Sequence, residues 1–544
     1  MTPQQTTRFE ISDELLTRLR EDVVLRRIES GIEWLQVHRD LLLSLDPAQH
    51  NAAAFVGHFS QLVDIGYGDS ALVRELLCRF PKAARATLPL LDYVHLRLAE
   101  GMAASAAEET GEAIRHFDFI LSLGDEVIGD KQLLALAHFW TGRCQRKQGE
   151  YDSALQHTVK GRELALELGY PKMAAVMQVL EAWLYFQNER LAEAVGILQE
   201  AEAVLRATDD SVTLGNIHSQ YGRIALREGR YDQALQHFGN AIDWFRQRDA
   251  RHRNLARSLA NMAYAKRLIA LRLARKLDAE TAERRKSGTR EAAAGAPARQ
   301  RLEELRAEAR SSLDQAQEIY QSHHHHRGLG TVRLDRGFLF LDAGDLALAE
   351  VEGDAAYELG AEKKDRILMA RARILQSTVE GAKYEEGIGE RGDPALHAQR
   401  AQDYATDALT HAQHTENRRL LARAYICQGM TFANDFSNNP EAAKECCDRA
   451  AGYLTGMRDQ LWEELEVLKA KVLGGGTVEV KLRQWSHGLT GGRTFQQMTE
   501  EFAEVVIPKV WEQEGRKVSR VAAKLKISPK KVRRILNRLG LKAD

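Results

Sequence analysis

A set of small residues recurs at a fixed 40-residue interval in the middle of the chain, and this repeat limits the possible folds more than any other feature. Two copies lie 80 residues apart: Gly142, Gly149, Tyr151 and Ala154, then Gly222, Gly229, Tyr231 and Ala234. Ala194 stands midway between the two alanines. Small residues at fixed points let two antiparallel helices approach closely, while the aromatic residue after the turn wedges between them. Since such a pair cannot bury its apolar face alone, successive pairs must stack into a solenoid.

Weaker copies extend the repeat in both directions. Upstream the spacing recurs at Gly101 and Ala113, and downstream copies include Gly337, Ala401 and Gly429. The pattern resembles the tetratricopeptide repeat (TPR) in a 40-residue form, over about residues 91–472. The resemblance implies an all-α fold with a TPR-like solenoid of about eight helix pairs. Only 10 of 544 residues are Pro, which also favours helix nearly everywhere. A generic helical bundle is the competing interpretation.

Two segments depart from the regular repeat. Residues 1–90 are interpreted as capping helices or divergent repeats, because apolar residues there follow a helical period. They form one stripe: Leu15, Leu16, Leu19, Val23, Val24 and Ile28. Near residues 276–301, the step from Ala263 to Ala309 spans 46 residues where 12 are regular, so about 34 are inserted. We expect helical extensions with a mobile tip around Ser287–Ala298, which serves as a solvated loop or contacts a partner.

A Gly-rich linker is predicted over residues 473–493, with a short extended segment at Thr477–Ser486. The segment beyond it has a sharp helical period, with these apolar positions: Val521, Ala522, Leu525, Ile527, Val532, Ile535, Leu536 and Leu539. Ser519 is predicted to cap a helix from about Arg520 to Leu525. Ser528 is predicted to cap a second helix that starts at Pro529 and ends near Leu539, before Gly540.

The stretch GRKVSRVAAKLKISPKKVRRILNRLGL, within residues 494–544, resembles the Fis-type helix-turn-helix at the end of NtrC-like bacterial regulators. One departure is Lys526, at a turn position that is usually Gly. A left-handed backbone there costs a Lys about 1 kcal/mol. The resemblance implies a homodimer that binds two half-sites on double-stranded DNA.

The exposed face of the second helix is basic, and we expect it to lack acidic partners. Ser528, Lys530, Arg533 and Arg534 are predicted to lie nearest the base edges. The remaining predicted DNA-binding residues are Lys531, Asn537, Arg538, Arg516, Lys517, Arg520 and Lys524. An apolar stripe before the helix-turn-helix is the predicted dimer interface: Met498, Phe502, Val505, Val506, Val510 and Trp511. Pro508 is expected to separate or kink two helices within it.

The net charge of −1 conceals two parts of opposite sign. Residues 515–544 hold 11 Lys and Arg and one acid, Asp544, which gives +10. The rest of the chain holds 65 basic and 76 acidic residues, which gives −11. An acidic solenoid would repel DNA and confine DNA contact to the basic C-terminal segment.

The first helix of each pair lines the inner groove of a TPR solenoid. By repeat register, eight residues are predicted to face this partner-binding groove: Arg143, Arg146, Trp183, Phe186, Asn216, Arg223, Tyr264 and Arg267. Arginines interleaved with aromatic residues suit an acidic peptide or a protein tail. The alternative is that these are ordinary groove residues with no specific ligand.

No sequence motif indicates an enzyme, and we predict no cofactor and no metal site. The run His323–His326 lacks Cys, Asp or Glu at ligand spacing, so a polar loop between repeats is favoured over a metal site. The sequence shows neither a readable signal peptide nor a membrane-spanning run. Five cysteines without a CxxC pair are typical of reduced thiols in a cytoplasmic protein.

Together these features predict a cytoplasmic bacterial transcriptional regulator. Its solenoid would bind a protein or peptide, and its C-terminal helix-turn-helix would bind DNA. The alternative function is a non-enzymatic TPR adaptor or scaffold subunit of a signalling or defence assembly.

Overall fold

The computed structural model describes residues 9–62, 70–287, 296–387, 394–454, 459–474 and 494–541. Every regular element in these residues is an α-helix, as the repeat and the composition predict. No helix in the described part of the chain is long and apolar enough to cross a membrane. The predicted extended segment Thr477–Ser486 and most of the predicted linker lie outside the described residues.

An N-terminal block of five helices has its own apolar core. The core includes Phe9, Trp34, Phe55 and Phe59. The predicted stripe is divided between two helices, because the backbone turns left-handed at Arg26 (φ 56°) and a new helix begins at Ile28. The helices are α1 (Asp13–Leu25), α2 (Ile28–Leu42), α3 (Ala52–Leu62), α4 (Ser70–Cys78) and α5 (Lys82–Arg85).

Eight helix pairs follow in the described residues, and one further helix packs on the last pair. The pairs are α6 (Leu90–Ala106) with α7 (Thr110–Ile128), α8 (Lys131–Gln148) with α9 (Tyr151–Glu167), α10 (Pro171–Gln187) with α11 (Leu191–Leu205), α12 (Ser211–Arg227) with α13 (Tyr231–Arg248), α14 (Arg253–Ser287) with α15 (Ala296–Ser322), α16 (His326–Ala343) with α17 (Leu346–Glu362), α18 (Arg366–Gly387) with α19 (Pro394–Gln413), and α20 (Arg418–Phe432) with α21 (Pro440–Tyr453). The further helix is α22 (Gln460–Gly474).

The recurring small residues are the points of closest approach within each pair. Ala154, Ala194 and Ala234 are all fully buried. A Cβ built on Gly222 would lie 2.6 Å from a ring carbon of Phe238, which is also fully buried. The first helix can therefore approach the second only because position 222 has no side chain.

The insertion forms helix, as the sequence predicts. Helix α14 has 35 residues and α15 has 27, and their extended ends share a separate apolar cluster that includes Ala270, Leu302 and Leu305. Residues 288–295, in the predicted tip, lie outside the described residues.

Distant parts of the solenoid contact one another. Arg26, after α1, forms a buried ion pair with Asp210 at the start of α12, at 2.5 Å. At another contact, the hydroxyl of Tyr151 accepts a hydrogen bond from Asn417 at 3.1 Å, across 266 positions of sequence. These contacts close the superhelix, so that it encloses space as well as presenting a groove.

Three helices form a C-terminal unit with its own core: α23 (Phe495–Gln513), α24 (Val518–Leu525) and α25 (Pro529–Arg538). Ser528 caps α25 as predicted and accepts a hydrogen bond from the amide of Lys531. Lys517, not Ser519, holds the cap position of α24. Lys526 is left-handed (φ 51°) in the turn, as its position predicts. Pro508 does not separate two helices, since α23 continues through it.

The packing at Gly222 can be tested with a matched pair of substitutions. Gly222→Val should lower the free energy of unfolding by about 2–3 kcal/mol, because the new side chain meets Phe238 in a filled core. Gly239→Val, on the partner helix α13, should have little effect, because no atom lies within 4 Å of its added Cβ. Urea denaturation followed by circular dichroism measures both, and an equal loss would contradict this account of the repeat.

Candidate functional site

The inner face of the superhelix lines a partly open cavity of about 490 Å³. The first helices of five successive pairs (α6, α8, α10, α12 and α14) contribute side chains to it. The N-terminal block closes one side, where Val23, Arg26, Ser60 and Gln61 reach the lining. The cavity is therefore more confined than the open groove that repeat register alone predicts.

The lining is strongly basic, and we call it the cationic cavity. Among the described residues that line it, the only carboxylate is Asp249. The lining cations are Arg26, Arg143, Arg146, Lys147, Arg223, Arg253 and Arg257. Arg26 is neutralised by Asp210, and cations still outnumber carboxylates among the other described residues of the lining.

Two of these arginines share one indole ring. The guanidinium carbon of Arg146 lies 4.8 Å from the ring centroid of Trp183, and that of Arg223 lies 5.7 Å from the same centroid. Arg223 also lies over Phe186 at 4.8 Å. Cation–π contacts of this kind hold a guanidinium in place without neutralising it.

Burial and mutual repulsion weaken the protonation of these side chains. Burial, together with the neighbouring guanidiniums of Arg257 and Arg143, lowers the pKa of Arg146 to about 9. Burial and Arg257 lower the pKa of Arg223 to about 10. Burial and Arg253 lower the pKa of Lys147 to about 8. All three remain charged at neutral pH, at a cost in free energy that an anion in the cavity would relieve.

Elsewhere in the superhelix, inward-facing arginines have carboxylate partners. Arg267 contacts Asp342 at 2.6 Å, and Arg227 contacts Glu189 at 2.7 Å. Within the described residues, by contrast, no carboxylate lies within ion-pair distance of Arg146, Arg223 or Arg253. The same architecture therefore gives some inner arginines a carboxylate partner, and gives Arg146, Arg223 and Arg253 none among the described residues.

The structure brings together five of the eight predicted groove residues. Arg143, Arg146, Trp183, Asn216 and Arg223 line the cationic cavity. The other three lie outside it: Phe186 is buried beneath Arg223, while Tyr264 and Arg267 lie farther along α14, near Asp335.

Sequence reasoning missed Arg253 and Arg257 in the cavity lining. They are four positions apart at the start of α14, so they share one helix face. Arg257 also lies 41 positions after Asn216, the same step that separates Arg223 from Tyr264, so the repeat register could have found it. Arg253 then follows from the shared helix face.

The histidine run contributes to a cluster of charged residues beside the cavity, which we call the Glu108 cluster: Glu108, His325, His326 and Asp365. Glu108, in the turn between α6 and α7, accepts a hydrogen bond from His325 at 2.8 Å and from His326 at 2.5 Å. The amide of Gly328 donates to Nδ1 of His325, so Nε2 of that ring carries the proton given to Glu108. His326 also contacts Asp365 at 3.4 Å.

Charge is distributed unevenly within this Glu108 cluster. Burial opposes the charge of His326, but Asp365 and Glu108 raise its pKa to about 9. Burial lowers the pKa of His325 to about 4, so that ring is neutral at pH 7. Burial also opposes ionisation of Glu108, yet the two histidines hold its pKa well below the usual range. In the described part of the chain, no group of His, Cys, Asp and Glu is arranged to hold a metal ion.

The predicted DNA-binding residues lie on the C-terminal unit, and all but the half-buried Lys531 are exposed. The expectation that they lack acidic partners is wrong. Arg534 contacts Glu500 at 3.0 Å, Arg538 contacts Glu504 at 2.9 Å, and Lys524 contacts Glu514 at 2.6 Å. Glu500 and Glu504 lie on α23, and Glu514 directly follows it. Because α23 packs against the other two helices, these glutamates reach cations that are 10 or more positions away in sequence, which local sequence patterns do not predict. The other exposed residues of the set are Ser528, Lys530, Arg533, Asn537, Arg516, Lys517 and Arg520.

The predicted dimer stripe is divided by the fold of this unit. Trp511 is buried in the core of the unit, and Val510 packs against that core. Phe502 is exposed, while Met498 and Val506 are half-buried. The side chain of Val505 lies outside the described residues. A free apolar face on α23 is therefore narrower than the sequence pattern indicates.

Comparison with known proteins identifies the fold. No family model matches the chain, and no curated protein matches it. Among solved structures, a Rap protein complexed with competence and sporulation factor is similar, with a TM-score of 0.50 and 13% identity over 73% of this chain and 98% of that chain.

The apo form of the quorum sensor NprR from B. thuringiensis has a TM-score of 0.45 and 14% identity, over 72% of this chain and 97% of that chain. The Rap conjugation gene regulator of plasmid pLS20, in complex with the Phr* peptide, has a TM-score of 0.42 and 14% identity, over 74% of this chain and 96% of that chain. The described helix pairs and the first likeness establish a TPR-like α-solenoid.

The Glu108 cluster should make stability depend on pH. The folded pKa of His326, about 9, exceeds its ordinary value of 6.5. Its stabilising contribution, about 3 kcal/mol, is therefore complete below pH 6.5 and is lost as pH rises through 9. Wild-type protein should exceed His326→Gln in stability at pH 6.5, and the difference should shrink by pH 9.5. Urea denaturation at both pH values measures the difference in stability.

His414→Gln, at an exposed position, is the control and should show no such trend. An effect of His326→Gln that does not change with pH would contradict a charged His326 in the Glu108 cluster.

Proposed function

We propose that this protein is a cytoplasmic, non-enzymatic, ligand-controlled transcriptional regulator. The solenoid binds a protein or peptide in the cationic cavity, and the C-terminal unit binds DNA as a helix-turn-helix. The observation that carries the proposal is the cavity itself. A cavity of about 490 Å³, lined by aromatic rings and by Arg146, Arg223 and Arg253, which have no carboxylate partner among the described residues, has the size and chemistry of a ligand site.

The solenoid half of the proposal has support from shape and from charge. The similar Rap structure is described as complexed with competence and sporulation factor, so a solenoid of this fold accommodates a bound factor there. In the present chain, Arg146 and Arg223 offer planar donors to negatively charged groups. We therefore expect a ligand that carries negative charge.

The DNA-binding half rests on the resemblance to Fis-type modules and on the exposed basic face of α25. Lys530, Arg533 and Asn537 are exposed on that helix, and no ion pair involves them among the described residues. Arg534 and Arg538 are held by glutamates of α23 and must exchange those contacts to reach phosphates. A homodimer would present two such faces to successive half-sites.

Ligand and DNA would be coupled through the closed superhelix. A ligand in the cationic cavity neutralises repulsion that now opposes the closed form, so it favours that form over a more open one. The two forms would present the C-terminal unit differently and would therefore differ in their affinity for DNA. Ligand binding then shifts DNA affinity by as much as the ligand's own affinity differs between the closed form and the open form.

The alternative function is a TPR adaptor or scaffold subunit whose C-terminal unit contacts protein. The ion pairs of Arg534 and Arg538 favour it, because they reduce the free positive charge on α25. The two functions differ in whether the full chain binds DNA in a salt-dependent manner.

Arg533→Ala should weaken DNA binding by about tenfold, since a base or phosphate contact by a free Arg contributes about 1–3 kcal/mol. Fluorescence anisotropy with fragments selected from genomic DNA measures the affinity, at several salt concentrations. Arg310→Ala, which removes an exposed arginine from the solenoid, should leave the affinity unchanged. Absent or salt-insensitive binding by the wild-type chain would exclude the DNA-binding function and favour the adaptor.

A further inference from the structure

We propose that the cationic cavity is a phosphoryl-binding site, in which Arg146, Arg223 and Arg253 bind phosphate groups of the ligand. The inference rests on the proposed function in one respect, that this cavity is the ligand site of the solenoid. It adds the chemical class of the group that the cavity recognises.

The first argument is charge balance. Among the described residues, the lining includes one carboxylate, Asp249, and three arginines with no carboxylate within ion-pair distance: Arg146, Arg223 and Arg253. Each phosphoryl group carries about −1.5 to −2 at neutral pH. Two of them would therefore neutralise Arg146, Arg223 and Arg253 together. Side-chain carboxylates carry one charge each, so a peptide would need three or more of them within the same small volume.

The second argument is donor geometry. Arg146 and Arg223 converge on the Trp183 ring from 4.8 and 5.7 Å, which holds their planar donor groups near one another. The Nε atom of Arg146 is buried and lacks a hydrogen-bond partner among the described residues. Planar guanidinium groups match two oxygens of a phosphate, and aromatic contacts reduce the entropy lost when they bind.

The third argument is the comparison within the same molecule. Arg267 and Arg227 lie on first helices of the same superhelix and are neutralised by Asp342 and Glu189. If Arg146, Arg223 and Arg253 served only to hold helices together, similar carboxylate partners would be expected for them. Their absence in the described residues leaves the counter-charge to a ligand.

A phosphoryl group can reach the cavity from two sources. It can be part of a phosphorylated side chain on a partner protein or peptide, or part of a small phosphorylated molecule. The neutral donors Ser219 and Asn216 also line the cavity and suit the remaining oxygens from either source. The experiment below separates the two.

Isothermal titration of the full chain tests the proposal with inorganic pyrophosphate and with a short peptide that carries two phosphoserines. The same peptide without phosphate and a version with two glutamates serve as matched ligands. We expect saturable binding of one pyrophosphate or one phosphopeptide per chain, at least tenfold tighter than the glutamate peptide. Pyrophosphate binding alone indicates a small molecule, whereas tighter phosphopeptide binding indicates a phosphorylated partner, and either result supports the site.

Two variants locate the binding. Arg146→Gln and Arg223→Gln should each weaken binding by about tenfold to a hundredfold, since each removes charge-assisted hydrogen bonds. Arg310→Gln is the matched control, because Arg310 also lies over an aromatic ring, 5.7 Å from Phe340, but is exposed outside the cavity. It should bind like the wild type.

Thermal unfolding without ligand shows whether the variants remain folded. Removing an uncompensated charge should leave the midpoint of Arg146→Gln unchanged or raised, whereas removing a purely structural arginine should lower it. The proposal is overturned if neither phosphorylated probe binds, if the glutamate peptide binds as tightly, or if both cavity variants bind like wild type. DNA affinity is measured in parallel: phosphoryl binding that leaves DNA affinity unchanged supports the site and counts against ligand-controlled regulation.

Discussion

Close approach between paired helices is the constraint on which the rest of the structure depends. Position 222 must lack a side chain because Phe238 fills the space beside it, and buried alanines repeat this contact along the chain. Tight pairs leave one apolar face uncovered, and only the next pair can cover it. The superhelix, its closed interior and the alignment of first helices around that interior all follow from this packing.

The packing of the helix pairs places charged side chains in the interior of the superhelix. First helices must turn one face inward, and in this chain that face carries arginines. Where carboxylates accompany them, as at Arg267 and Asp342, the charges help to hold neighbouring helices. Around Trp183 no such partner is present among the described residues, and buried positive charge accumulates. A cavity lined by buried positive charge is suited to binding an anion and to changing its shape when the anion binds.

Contacts between distant pairs set the shape of this interior. Arg26 forms an ion pair with Asp210, which joins the N-terminal block to the fourth helix pair. Glu108 contacts His325 and His326, which joins the turn of the first pair to the start of the sixth. The Glu108 cluster adjoins the cavity: Arg327, which contacts Asp365 of the cluster at 2.5 Å, donates to the carbonyl of Lys147, a residue of the lining. A ligand that changes the charge in the cavity therefore acts close to a contact that closes the superhelix.

The sequence by itself determined the helical class, the pairing of helices and the identity of several inner residues, because all three follow from local periodicity and a fixed repeat. It also located Ser528 as a helix cap and Lys526 as a left-handed turn residue. Only the tertiary structure decided which charges are neutralised. Glu500 lies 34 positions from Arg534, and Glu108 lies 218 from His326, so no local pattern predicts their pairing. The cavity likewise depends on the N-terminal block, which covers one side of it, because the contact between distant helix pairs is not encoded in any single repeat.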